Sequence, residues 1–272
     1  MATPDAGLVT AAYAPSRVHT KLAGVDVTVE EQTEYPFRGK AEFTIHAARP
    51  LEFPLLIRVP LWANAATLSL NGKISQIPAS GCTLGTPESG TNQGACDLSK
   101  AFYRIRRTWK EGDRMAVEFA PQPRVTHWYH NAAVFEWGPL VFSLPLDGEW
   151  SELKHYAQKS GDWQITPSKE WNYAVEIGDC AAKVVEAPLS LVPFDRTNPA
   201  VKLEVKGRRD PQWVIEENSA GPVPGSPVPS TEPLQTLILI PYGAAKLRIT
   251  EFPYLQEKSE CPSATAGAQN SR

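Results

Sequence analysis

The stretch FYRIRRTWKEGDRMAVEF, residues 102–119, contains the pattern that decides the fold class. Met115, Val117 and Phe119 alternate with polar or small residues, and residues 109–113 separate this segment from the one before it. Alternation with a period of two predicts a strand that buries one face, and a short polar segment with glycine predicts a turn. The stretch therefore predicts a strand, a turn and a second strand.

The same alternation recurs along most of the chain. Leu68 and Leu70 precede Asn71-Gly72, a pair typical of a tight hairpin turn. The 25 prolines and 18 glycines favour strands and turns over helices. The sequence predicts an all-β fold with two antiparallel β-sandwich, jelly-roll-like domains. Further alternating positions are Val25, Val27 and Val29; Phe43 and Ile45; Val201, Leu203 and Val205; and Leu247, Ile249 and Phe252.

Two prolines, Pro121 and Pro123, mark the predicted domain boundary, because proline ends a strand pair. We expect a first domain over residues 1–122 and a second over residues 123–255. Residues 72–100 are predicted to form a long loop, and residues 256–272 a disordered tail, because both are rich in small and polar residues. Residues 149–156 come nearest to a helical pattern, enough for two turns.

Composition and charge exclude several classes of protein. Hydrophobic residues make up 42% of the chain and charged residues 21%, typical of a soluble globular protein. The net charge of −3 argues against nucleic-acid binding. Apolar stretches such as residues 140–146 are far shorter than the about 20 residues of a membrane span. The first residues lack the basic and apolar segments of a signal peptide. We expect a soluble protein, cytoplasmic or exported with a signal upstream of Met1.

The four cysteines give no metal-site pattern. Cys82, Cys96, Cys180 and Cys261 include no CxxC pair, so no zinc site is predicted. Cys82 and Cys96 lie in one polar loop. They form a disulfide in an oxidising compartment or stay free thiols, and the sequence leaves both alternatives open.

Eight segments in a fixed order resemble the C-terminal half of the β-L-arabinofuranosidase-like glycoside hydrolases, family 127 and its relatives. The resemblance extends from Ala2 to about Tyr254. The segments are YPF (35–37), FPLLIRVPLWA (53–63), LNG (70–72), RTWKEGD (107–113), WGPLVF (137–142), WNY (171–173), IPYG (240–243) and KLRIT (246–250).

The resemblance implies that the catalytic machinery lies outside this chain. In that family a zinc-bound cysteine on an N-terminal (α/α)6 barrel is the nucleophile, and the β-sandwich domains follow. None of the four cysteines matches those positions, so the resemblance implies no catalytic residue and no cofactor here. It implies a fragment of a bacterial enzyme of carbohydrate metabolism. The implied partners are the missing barrel, a second copy in a homodimer and arabinose-containing glycans, with neither membrane nor nucleic acid. Residues 72–100 depart from the family's short hairpin.

Five residues are candidates for carbohydrate binding. His127, Trp128, Tyr129 and His130 combine aromatic faces that stack on sugar rings with imidazoles that hydrogen-bond hydroxyls. The alternative is a strand with Trp128 in a core or an interdomain seam, and histidines three apart do not share a strand face for a metal. Glu136 lies between aromatic residues, where a carboxyl pKa rises. Its alternative is an outward-facing strand position.

Three hypotheses of function follow. The first is the non-catalytic β-sandwich portion of such a hydrolase, supporting a barrel that cleaves terminal arabinofuranosyl linkages. The second is a stand-alone carbohydrate-binding module, which predicts a row of exposed aromatic side chains. The third is a self-contained hydrolase, which predicts a concave pocket with two facing carboxylates.

Overall fold

The computed structural model describes residues 2–3, 5–63, 65–78, 101–156, 160–178 and 180–258. The prediction of an all-β fold is confirmed: across these ranges the chain forms strands and short 3-10 turns, and no α-helix. The same ranges contain no helix with the length and apolar character needed to cross a membrane. The chain divides into two compact units, Met1–Gln122 and Pro123–Arg272.

The first unit consists of two sheets. The three-stranded sheet has the order β1-β5-β8, with β1 parallel and β8 antiparallel to β5. The six-stranded sheet has the antiparallel order β2-β3-β4-β9-β6-β7. The strands are β1 (Leu8–Thr10), β2 (Ser16–Leu22), β3 (Val25–Thr33), β4 (Lys40–Ala47), β5 (Leu51–Arg58), β6 (Ala65–Leu70), β7 (Lys73–Pro78), β8 (Phe102–Trp109) and β9 (Asp113–Phe119).

Residues 102–119 form the two predicted strands, but these do not pair with each other. β8 pairs with β5 in the small sheet, and β9 lies between β4 and β6 in the large one. The turn at residues 110–112 thus carries the chain from one sheet to the other. Trp109 on β8 and Val117 on β9 both belong to the hydrophobic core of the unit. Trp109 also donates a hydrogen bond from Nε1 to the Phe53 carbonyl at 3.1 Å. The stretch therefore contributes to both walls of one core.

The predicted loop over residues 72–100 begins later than expected. Residues 73–78 form β7, which pairs with β6 from Leu70↔Lys73 to Ala65↔Pro78. Asn71 and Gly72 have φ angles of 50° and 86°, the left-handed values that such a hairpin turn requires. The turn at Asn71-Gly72 was correctly identified. It leads into β7, which occupies the first part of the segment that was predicted to be a loop. Residues 79–100, with Cys82 and Cys96, lie outside the described residues.

The second unit has one extended set of paired strands and two separate hairpins. The main order is β10-β11-β12-β20-β17-β15-β22, with β16 paired to β17 and β21 to β12. β22 runs parallel to β15. The strands are β10 (Pro123–His127), β11 (Ala133–Trp137), β12 (Leu140–Pro145), β13 (Gly148–His155), β14 (Gly161–Pro167), β15 (Tyr173–Ile177), β16 (Ala182–Glu186), β17 (Val201–Arg209), β18 (Ile215–Glu216), β19 (Ser219–Ala220), β20 (Gln235–Pro241), β21 (Arg248–Ile249) and β22 (Tyr254–Lys258).

The helical expectation for residues 149–156 was wrong, because residues 149–155 belong to β13 and Tyr156 follows it. β13 pairs with β14 along its length, from Gly148↔Pro167 to His155↔Gly161. A helix needs one apolar face to bury, whereas β13 is exposed at seven of its eight positions. Hydrogen bonds between β13 and β14 satisfy the backbone polar groups, so this strand needs no buried apolar face. β22 likewise extends to Lys258, so its last residues are not part of a disordered tail. Residues 259–272 lie outside the described part of the chain.

Cys180 is disulfide-bonded. It lies between β15 and β16. The other three cysteines, Cys82, Cys96 and Cys261, lie outside the described residues. The question of a Cys82–Cys96 disulfide or two free thiols therefore falls outside them as well.

Candidate functional site

The candidate residues 127–130 lie at the turn between β10 and β11. His127 ends β10 and pairs with Ala133, while Tyr129–Asn131 form a short 3-10 turn. The Trp128 N–H donates to the Ala132 carbonyl at 2.9 Å and closes the loop. His130 and Asn131 have φ angles of 53° and 59°. The sequence favoured a continuous strand here. The left-handed residues end the strand instead and place three of the four candidates on a surface turn.

Two of these side chains present open aromatic faces. Trp128 is 54% exposed and Tyr129 is 62% exposed, so Trp128 does not lie in the core of its own unit. The Trp128 Nε1–H donates to Thr126 Oγ1 at 3.1 Å. The Tyr129 ring stacks on the His130 ring with centroids 3.8 Å apart. The turn therefore offers two aromatic surfaces on which an apolar sugar face can stack.

Both histidines hydrogen-bond within the unit. His130 Nδ1 lies 2.8 Å from the Val223 carbonyl oxygen, and His127 Nδ1 lies 3.4 Å from the Asn131 carbonyl oxygen. The described residues contain no group of three or more His, Cys, Asp or Glu side chains arranged to hold a metal ion.

Glu136 is buried and belongs to a cross-strand ion pair with the partly exposed Arg124. It lies opposite Arg124 in the β10–β11 register, and its carboxylate accepts a hydrogen bond from Arg124 Nε at 2.7 Å and another from Arg124 Nη2. Thr126 donates to its other oxygen at 2.8 Å. The alternative of an outward-facing, solvated strand position is thus wrong. The neighbouring strand supplies the cation that makes burial of this carboxylate tolerable.

Two cavities are each lined by two carboxylates, the arrangement that the third hypothesis predicts. One, of about 570 Å³ in the second unit, is lined by Asp147 and Glu170; the other, of about 590 Å³ in the first, by Glu34 and Glu42. Each of the four carboxylates faces a cation. The pairs are Asp147–Lys169 at 3.0 Å, Glu170–Arg209 at 2.9 Å, Glu34–Arg38 at 3.9 Å and Glu42–Lys40 at 2.7 Å.

The pairing of Asp147 disfavours general-acid chemistry at that residue. Hydrogen bonds from Lys169 and Arg196 lower the pKa of Asp147, whereas a glycosidase acid must hold a proton at the working pH. The Lys169 and Arg196 side chains therefore keep Asp147 ionised, as a hydrogen-bond acceptor.

Glu31 is a buried carboxylate with a raised pKa that the sequence analysis missed. Burial raises its pKa to about 7, although the Ala14 N–H and the Ser16 hydroxyl donate to it at 3.2 and 3.3 Å. It lines a cavity of about 290 Å³ in the first unit whose described lining includes no second carboxylate. Its signal was available in the sequence: Val25, Val27 and Val29 alternate inward on β3, and Glu31 occupies the next inward position.

Comparison with known proteins connects this fold to one enzyme family. Residues 7–121 match the model described as the GH127 middle domain of β-L-arabinofuranosidases. No curated protein matches the chain.

Three solved structures share the fold over most of the chain. A GH127 β-L-arabinofuranosidase from Geobacillus stearothermophilus T6 has a TM-score of 0.56 at 18% identity, covering 93% of this chain and 34% of that one. A protein described as a glycoside hydrolase has a TM-score of 0.57 at 19% identity, covering 91% and 36%. Another GH127 β-arabinofuranosidase has a TM-score of 0.55 at 16% identity, covering 90% and 34%.

The chain spans about a third of the length of the solved proteins that it matches. At these identities the likeness to them is one of fold. The resemblance found in the sequence is confirmed: residues 7–121 match the GH127 middle domain, in a chain with the fold of about one third of a β-L-arabinofuranosidase.

Proposed function

We propose that this chain is the non-catalytic β-sandwich portion of a β-L-arabinofuranosidase-like glycoside hydrolase. It supports a catalytic (α/α)6 barrel that carries the zinc and cleaves terminal arabinofuranosyl linkages. The observation that carries the proposal is the match of residues 7–121 to a middle domain rather than to a catalytic one. The lowered pKa of Asp147 in the cavity of the second unit agrees with it, because a glycosidase needs one carboxyl group that is protonated before the bond breaks.

Hydrolysis by the purified chain is the first test. We expect no release of p-nitrophenol from p-nitrophenyl β-L-arabinofuranoside, with the Geobacillus GH127 enzyme as the active control. Turnover by this chain that disappears in Glu31→Gln or Asp147→Asn would overturn the non-catalytic role. Turnover that survives both substitutions points to a contaminant and is repeated after further purification.

The barrel is tested in the organism that makes the protein. An antibody against this chain is expected to detect a product more than twice the 29.9 kDa of the chain, or a 29.9 kDa product in complex with a separate barrel protein. A 29.9 kDa product that migrates alone at native mass contradicts the supporting role.

A second candidate function is glycan binding at the turn that follows β10. It is favoured by the exposure of Trp128 and Tyr129 beside the His130 ring. The proposed ligand is an arabinose-containing oligosaccharide. Its binding is measured by calorimetry, and Trp128→Ala is expected to weaken it about tenfold through loss of ring stacking. Equal affinity of the variant and the parent chain excludes this turn as the binding surface.

A further inference from the structure

The cavity lined by Asp147 and Glu170 lies at the base of the β13–β14 hairpin. Asp147 immediately precedes β13, and Lys169 and Glu170 follow β14. The Ser168 N–H donates to the Asp147 carbonyl at 3.0 Å and closes the base of the hairpin. β12, β15 and β20, with Leu146 just after β12, supply the other lining residues, so paired strands hold most of the cavity wall.

The polar lining offers both donors and acceptors. Asp147 is an ionised acceptor, held by Lys169 Nζ at 3.0 Å and by Arg196 Nη2 at 2.5 Å. The Tyr173 hydroxyl lies 3.3 Å from Glu170 Oε2 and 3.4 Å from Gln235 Oε1. Burial raises the pKa of Tyr173, so this hydroxyl keeps its proton and remains a donor. Sugar hydroxyls both donate and accept, and this mixture matches them.

The remaining lining is aliphatic. Leu144, Leu146, Leu237 and Ile238 form an apolar wall. A volume of about 570 Å³ lies within the roughly 300–1,000 Å³ of small-molecule pockets, which combine apolar walls with a few placed polar groups. Asp147 is paired with Lys169 and Arg196, and Glu170 with Arg209, so neither lining carboxylate is free to attract a cation. These features favour a neutral ligand.

We propose that this cavity binds a neutral monosaccharide unit, with Asp147, Tyr173 and Gln235 contacting its hydroxyls and the leucine side chains contacting its C–H face. The proposal rests on the glycoside hydrolase context of the proposed function. It adds a binding site in the second unit to the turn at residues 127–130. Two sites that hold one polymer together bind it more tightly than either does alone.

Nuclear magnetic resonance of the full, ¹⁵N-labelled chain tests the site directly. The probes are methyl β-L-arabinofuranoside and L-arabinose, with inorganic phosphate as the anion control. We expect fast-exchange shifts of the Lys169, Tyr173 and Gln235 amides with dissociation constants of about 1–10 mM, typical of a single sugar ring in an open pocket. Gln235→Ala and Asp147→Asn are each expected to raise the constant roughly tenfold, because each removes a ligand hydrogen bond.

Trp163→Ala is the matched control, since Trp163 is half-exposed on the same hairpin but does not line the cavity. Its dissociation constant should equal that of the parent chain. The absence of sugar shifts overturns the proposal, as does phosphate binding alone or weakening only by Trp163→Ala. Unchanged affinity in both pocket variants also overturns it. Failure here leaves the hydrolysis and native-mass tests untouched, so the two proposals fail separately.

Discussion

Glu31 in the first unit and Glu136 in the second are both buried on strands, yet they are accommodated in opposite ways. Glu136 has Arg124 directly opposite and Thr126 beside it, so the ionised form is held by an ion pair. Within the described part of the chain, Glu31 accepts hydrogen bonds from the Ala14 N–H and the Ser16 hydroxyl and has no cation beside it, and burial raises its pKa to about 7. The residue opposite a buried carboxylate therefore decides whether it is stabilised as a charge or forced toward neutrality.

Removal of the cation should have the largest effect. Arg124→Ala leaves Glu136 buried without a partner, and we expect a loss of about 2–4 kcal/mol in the free energy of unfolding at pH 7, measured by urea denaturation. Lys183→Ala, which breaks the exposed Lys183–Glu204 pair on neighbouring strands of the same unit, is the control. It should cost about 0–1 kcal/mol. Equal losses in the two variants would show that Arg124 stabilises the buried Glu136 no more than Lys183 stabilises the exposed Glu204.

Glu31 should make stability fall as the pH rises. The unfolded carboxyl ionises near pH 4.5 and the folded one near 7, so the folded state holds the extra proton between these values. Stability contributed by protonated Glu31 is present below pH 4.5 and lost as the pH approaches 7. We expect Glu31→Gln to be more stable than the parent at pH 8 and equal to it near pH 4. The expected difference at pH 8 is about 1–2 kcal/mol, less than the full pKa shift implies, because solvent screens a half-buried carboxylate.

Urea unfolding at both pH values measures this difference. Glu30→Gln, at an outward position of the same strand, is the matched control and should leave the pH dependence as it is in the parent. A Glu31→Gln variant with the parent's pH dependence would show that Glu31 ionises normally in the folded protein.

Thr126 should separate the contribution of a hydroxyl from that of the cation. Thr126→Val removes the hydrogen bond to the Glu136 carboxylate and the one that Thr126 Oγ1 accepts from Trp128, but keeps Arg124, and we expect a loss of about 1–2 kcal/mol. Thr126→Ser keeps the hydroxyl and should cost less than half of that. Thermal unfolding of the three proteins gives the order. A valine variant as stable as the serine variant would assign the whole effect to Arg124.

Replacement of Ser16 should have the smallest effect on stability, and that effect should arise only through the pKa of Glu31. Its hydroxyl lowers the pKa of Glu31 against the larger effect of burial. Ser16→Ala is expected to raise that pKa further and to cost about 0.5 kcal/mol at pH 8, with no change near pH 4. A ¹³C titration of the Glu31 carboxyl measures the shift. A lower pKa in the variant would reverse the role assigned to this hydroxyl.

The strands were predictable because their signal is local. Val25, Val27 and Val29 specify a half-buried strand, and Asn71-Gly72 specifies the turn that leads into β7. Partner choice was less accessible, since it depends on residues far apart in the sequence. The pattern in residues 102–119 looks like a hairpin, yet its two strands belong to different sheets.

The candidate site shows the same division. Sequence alone identified the aromatic residues Trp128 and Tyr129 but favoured a strand for them, because His130 and Asn131 give a weaker signal for left-handed backbone than glycine does. The environment of Glu136 depends on Arg124 across a strand pair. The lining of the cavity beneath the β13–β14 hairpin comes from segments as far apart as Asp147 and Gln235, and no local pattern joins them.

The sheet change at residues 110–112 also has a kinetic consequence. β8 pairs with β5 through Leu51↔Trp109, and β9 pairs with β4 through Lys40↔Glu118, so neither strand has a partner nearby in sequence. Each pairing must close a long loop before its contacts repay the lost entropy. Folding rates fall as contacting residues become more distant in sequence. The first unit should therefore fold slowly, and its two walls should join late, when residues 102–119 enter both sheets.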